Sequence, residues 1–82
     1  MPSVHLAFDL GASSGRSIVG VLDGDPLRLA IEEVHRFEHG GVPTPTGPVW
    51  DLTGIWRNML VGLEAAGRWC HEQGLTIDTL GV

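Results

Sequence analysis

The chain has 82 residues, with five Lys and Arg against ten Asp and Glu and a formal net charge of −5, a balance that argues against nucleic acid as the main partner. Its one cysteine, Cys70, excludes an internal disulfide and fits a reducing cytoplasm. No apolar run reaches the length of a bilayer span, and Met1–His5 lacks the basic region and long apolar core of a secretory signal. The first apolar run, Val4-His5-Leu6-Ala7-Phe8, predicts a buried strand over Val4–Asp9, with His5 as a packed or edge residue. A second strand is expected over Arg16–Leu22, and Asp9-Leu10-Gly11-Ala12-Ser13-Ser14-Gly15-Arg16 joins the two. An acid at a strand end, then glycines and hydroxyls, then an arginine, is a layout suited to phosphate. The glycines let backbone approach a ligand closely, and successive N–H groups form an anion nest. Ser13 and Ser14 add hydroxyl donors, and Arg16 adds a fixed positive fork. Asp9 repels bare phosphate, so its place there makes sense with hydrated magnesium between them. A tight hairpin with a polar tip has the same spacing, and spacing alone does not separate the two.

Asp23-Gly24 signals a second hairpin, extended by Asp25-Pro26. In the third strand Leu27, Leu29 and Ile31 alternate, and the phase then changes around Glu32-Glu33 so that Val34 and Phe37 follow. A β-bulge, which would restore both sets to the same core face, and a simple twist at the strand end account for the change equally well. His39–Trp50 holds three glycines and three prolines in twelve positions and is expected to be a loop, either a flap beside a cleft or a surface connection. His35 and His39 are four apart, but metal ligation at that spacing wants a helix, and none is assigned to them. A helix follows over Leu52–Gln73, capped by Asp51 or Thr53 and stopped by Gly74. Its core stripe is expected to be Leu52, Ile55, Trp56, Met59, Leu63, Ala66 and Cys70, with Gly62 and Gly67 permitting close approach to a sheet. Cys70 on that stripe reads as a small buried hydrophobe. Leu75, Ile77 and Leu80–Val82 begin a fourth strand, so the order is strand, strand, strand, helix, strand: a mixed-sheet α/β arrangement.

The string Asp9–Arg16, D-L-G-A-S-S-G-R, resembles the first phosphate motif of the actin-like ATPases and sugar kinases. This form resembles the FGGY carbohydrate kinases, and within them the branch that acts on L-rhamnulose. Val34-His35-Arg36-Phe37 and Val49-Trp50-Asp51-Leu52 resemble that branch in order and spacing. Branches acting on glycerol or xylulose more often carry threonine in the loop. The resemblance implies a ribonuclease-H-like half-domain: a three-stranded antiparallel meander, a crossover helix, then a parallel strand. It implies ATP and Mg2+ as cofactors and transfer of the γ-phosphate to a ketose hydroxyl, giving L-rhamnulose 1-phosphate. Backbone amides around Gly11, Ala12 and Gly15 would cradle the β- and γ-phosphates, with Ser13 and Ser14 hydrogen-bonded to them. Arg16 would neutralise developing charge or stabilise the loop, and Asp9 would hold magnesium through water.

The same resemblance places the catalytic base far downstream, and no acid here matches its motif; Asp51 is explained as a cap, and Asp78 lies in or beside the fourth strand. Residues 1–82 therefore read as the N-terminal part of a first domain, truncated within its fourth strand. That piece is expected to be inactive alone and to associate through its open sheet edge. The competing readings are an actin-like or chaperone-type ATPase, or an FGGY kinase for xylulose, fuculose or glycerol. No G-x-x-x-x-G-K-[ST] occurs, and the β-rich segment after the glycines does not suit a dinucleotide fold.

Overall fold

A computed structural model describes residues 1–82. Strands β1 (Ser3–Leu10), β2 (Ser14–Asp23) and β3 (Arg28–Glu38) precede helix α1 (Leu52–Glu72) and strand β4 (Thr79–Gly81). The sheet order is β3-β2-β1-β4, with β1–β2 and β2–β3 antiparallel and β4 parallel to β1. The expected meander, crossover helix and parallel strand are all present. The outer strand β4 is shorter than expected: Leu75 and Ile77 tuck under the core as non-strand residues. Asp78 then locks the start of the pairing, its carboxylate accepting from Val4 N–H at 2.7 Å and its own N–H donating to Val4 C=O at 2.8 Å. That reciprocal pair is the role that the sequence left open for Asp78. No helix is long and apolar enough to cross a membrane.

Alternation along the strands builds one covered face. Val4, Leu6 and Phe8 of β1 and Val19 of β2 are buried beneath Ala66 and Cys70 of α1. The phase change in β3 is a bulge: Ser17 lies opposite His35 and Ile18 opposite Glu33, which leaves Val34 as the extra residue. The bulge brings Val34 against the core, but Leu29 and Ile31 stay on the opposite, exposed face, so the two apolar sets do not share one core face as expected. At the start of α1 the Asp51 carboxylate accepts from Gly54 N–H at 3.0 Å. At its end Gly74 has φ +71, its N–H donates to His71 C=O, and Leu75 N–H donates to Cys70 C=O. Those paired bonds are a Schellman cap, completed by Leu75 packing back on the core.

The helix is rotated from the expected stripe. Leu52 is 72%, Trp56 58% and Leu63 40% exposed, whereas Gly62, Ala66 and Cys70 are buried and Met59 and Trp69 pack partly against the core. The cause is Gly62, where a methyl group would collide with the Ser17 hydroxyl. The closest approach of helix to sheet is therefore made by a residue with no side chain. Gly67, expected to serve the same purpose, has open space beside it. Leu52, Trp56, Leu60 and Leu63 form a second apolar stripe turned away from the sheet.

The result is a thin slab. Only nine residues are buried, and the radius of gyration of 15.2 Å exceeds the roughly 12 Å of a compact chain of this length. The accessible surface of 5735 Å² exceeds by about a fifth what a folded monomer of this mass exposes. The sheet face opposite α1 is uncovered, with Leu29 59% and Ile31 64% exposed.

Candidate phosphate-binding turn

The turn between β1 and β2 is tighter than the sequence suggests. Strand β2 begins at Ser14, so Ser14, Gly15 and Arg16 belong to a strand, and only Gly11–Ser13 lie between the strands. Gly11 N–H donates to Ser14 C=O at 2.9 Å, closing the turn. Ser13 C=O accepts from His39 N–H at 2.9 Å, which ties the turn to the end of β3. The N–H groups of Ala12 and Ser13 donate to no protein group, and neither do the hydroxyls of Ser13 and Ser14. Four donors are thus free within three consecutive residues. Gly15 is needed for packing: a methyl group there would collide with the Phe37 ring.

Asp9 and Arg16 lie opposite each other in the β1–β2 register and pair at 2.5 Å. They open a ladder of alternating charge on the uncovered sheet face. Arg16 lies 4.0 Å from Glu33, and Arg36 binds Glu33 at 2.7 Å. The hydrogen bond and charge of Asp9 push the Arg16 pKa up, and the hydrogen bond from Arg36 holds the Glu33 carboxyl below the ordinary range. Both arginines are therefore neutralised by carboxylates. The free electropositive groups of this end of the molecule include the backbone N–H groups and hydroxyls of the turn. Ser13, Ser14, Arg36, Glu38, His39 and Gly40 line one groove beside it. Asp9 does not line that groove; the register joins it to the turn's base through Arg16.

The segment from His39 to Trp50 carries more order than a plain loop. Val42 and Val49 form a β-bridge with bonds of 2.6 and 2.9 Å, and Thr44 and Gly47 exchange backbone bonds at its tip. A cleft of roughly 270 Å³ opens between this small hairpin and Ala12. His35, Phe37, His39 and Trp50 follow one another in ring contact, with centroids 5.9, 5.9 and 5.3 Å apart. Both His39 ring nitrogens are enclosed and without a partner, whereas His35 Nε2 meets Asn58 Oδ1 at 3.0 Å and so links β3 to α1. Sequence spacing alone presents His39 only as a candidate metal ligand. The available signal was its position three residues after Arg36 and directly before Gly40-Gly41, where a strand end meets a glycine pair.

Over 66 residues the chain is 41% identical to a rhamnulokinase of Oceanobacillus iheyensis, and that match covers 80% of this chain. The chain spans 14% of the relative's length. No family model matches the chain.

Proposed function

We propose that this chain is part of an FGGY-type sugar kinase that passes the γ-phosphate of ATP to a hydroxyl of a ketose, L-rhamnulose first among the candidates. The observation that carries this reading is the 41% identity to a rhamnulokinase across four-fifths of the chain. The turn supports it independently, because unpartnered N–H groups and hydroxyls at a strand end form a nest for phosphate oxygens. On this reading the slab is one part of a ribonuclease-H-like domain, and its two open apolar surfaces are packing surfaces for the remainder of a larger protein.

Phosphoryl transfer depends on positioning and on charge stabilisation. Ala12 N–H, Ser13 N–H and the Ser13 and Ser14 hydroxyls take the phosphate oxygens. Gly11 lets the turn close against the Ser14 carbonyl, and Gly15 leaves room for the Phe37 ring beside it. Arg16 acts through Asp9: it fixes the carboxylate at the foot of the turn and offsets its charge. A single half-exposed carboxylate such as Asp9 would hold hydrated magnesium through water. Magnesium, when bound, offsets charge on the transferred group. The carboxylate base that deprotonates the sugar hydroxyl is assigned to a part of the protein outside these residues.

The test is an ATP-coupled assay of the whole protein that carries this segment. Activity on L-rhamnulose is expected to exceed that on glycerol, xylulose, ribulose and fuculose. Equal or greater turnover of another of these sugars would reassign the substrate. ATP hydrolysis with no sugar phosphorylated would favour an actin-like or chaperone-type ATPase.

A further inference from the structure

The cleft beside the phosphate turn has a lining of unusual composition. Its walls are Ala12 from the turn, Gly40 and Gly41 from the end of β3, and Pro48, Val49 and Trp50 from the approach to α1. Trp50 is 59% exposed, yet it is held in place. Its ring rests against His39 at 5.3 Å and 51°, and His39 rests in turn on Phe37. The His39 N–H fixes Ser13, and the Val42–Val49 bridge fixes the residue before Trp50. Indole and phosphate turn are therefore parts of one connected unit. The N–H groups of Ala12, Gly40 and Gly41 donate to no protein group.

An apolar aromatic surface with a few free donors at its rim is complementary to a small polyhydroxylated molecule, which presents an apolar C–H face and a hydroxyl edge. A nucleobase also stacks on aromatic rings. Position favours the sugar, whose acceptor hydroxyl has to reach the phosphate, and at roughly 270 Å³ the cleft has room for one such molecule. Its shared wall, Ala12, sets the occupant next to the free N–H groups that face phosphate.

We propose that Trp50, steadied by His39, is the platform on which the acceptor ketose lies, and that the Gly40-Gly41 backbone meets its hydroxyls. The inference rests on the kinase reading and adds to it a residue that fixes the sugar's position. Calorimetric titration of the whole protein with L-rhamnulose, and separately with Mg-ADP, tests it without turnover. Trp50→Ala is expected to weaken L-rhamnulose binding about tenfold and leave Mg-ADP affinity unchanged, with Trp50→Phe close to wild type. Unchanged sugar affinity in Trp50→Ala, or a loss confined to Mg-ADP, overturns the platform while leaving the kinase reading intact. Wild-type protein that binds none of the five ketose and triol substrates overturns the kinase reading and the platform together. A second readout avoids the variant's folding: the 19F signal of 5-fluorotryptophan at position 50 is expected to shift with L-rhamnulose and stay still with Mg-ADP. A signal that ignores the sugar overturns the proposal.

Discussion

The meander makes two tight turns, at opposite ends of the same three strands, and they are built from different chemistry. The β2–β3 turn is Asp23-Gly24-Asp25-Pro26-Leu27, with Gly24 at φ +93. Its glycine answers a backbone requirement, its two acids repel anions, and its proline has no N–H to give. The β1–β2 turn has no residue at positive φ. Its glycine and the one just inside β2 are required by neighbours instead: a Cβ on Gly11 would press within 3.3 Å of Ser14 C=O, and one on Gly15 would strike Phe37. Its tip carries no formal charge and leaves its donors free. A glycine that serves the backbone marks a reversal of the chain. Glycines that serve proximity, surrounded by idle donors, are on the proposed reading the mark of a ligand's approach.

The largest difference between the turns is expected in catalysis. On the proposed reading, Asp9→Asn in the whole protein lowers turnover by about two to three powers of ten, while Asp25→Asn leaves it unchanged. Melting curves of both variants stay close to wild type, since the Asp9–Arg16 pair is exposed on both sides and such pairs add little stability. Equal turnover in the two variants, measured across magnesium concentrations, would make Asp9 a structural acid.

Packing gives the next effect. Gly15→Ala is expected to destabilise by about 1–3 kcal/mol through overpacking against Phe37, and Phe37→Leu in the same chain should recover part of that loss. Gly24→Ala is expected to cost about 1 kcal/mol as backbone strain, with no relief from Phe37→Leu. A double-mutant cycle on thermal melts separates the two cases, because only residues in contact couple. Coupling of Phe37 to both glycines, or to neither, would erase the distinction.

The smallest effect is electrostatic. The Glu33 carboxyl is held low, chiefly by its hydrogen bond from Arg36. A depressed carboxylate stabilises fully above its unfolded value of about 4.3 and loses that contribution as pH falls through the lower folded value. Stability should therefore decline on acidification below that range, and the slope should shrink in Glu33→Gln. An identical slope in the variant would show that the ladder beside the β1–β2 turn carries no such linkage.

Much of this was legible in the residues, and the errors have physical causes. Alternation along β1, the Asp23-Gly24 turn and the Gly74 stop follow from local backbone rules and appear where those rules place them; of the two cap candidates Asp51 takes the role, and the alternating Leu29 and Ile31 of β3 lie on the face away from the helix. Periodicity misplaces the rotation of α1 because it counts large apolar side chains, while the tightest contact is made by Gly62, which has none. Trp56 and Leu63 accordingly moved from expected core to open surface. In the site, the string Asp9–Arg16 was visible, but its division was not: the strand claims Ser14 to Arg16, and register turns Arg16 toward Asp9 and not toward the tip. The partnership of Ser13 with His39, and of His39 with Trp50, joins residues distant in sequence. No local pattern announces such contacts.

The claim beneath all of this is that Gly11–Ser13 is the phosphate-binding turn and Asp23–Leu27 is not. Backbone amide shifts of the whole protein, followed by NMR through a titration with Mg-ADP, test it directly. The account predicts that the Ala12 and Ser13 amides move in a saturable way while Gly24 and Asp25 stay still. Stationary Ala12 and Ser13 amides at nucleotide saturation would contradict it.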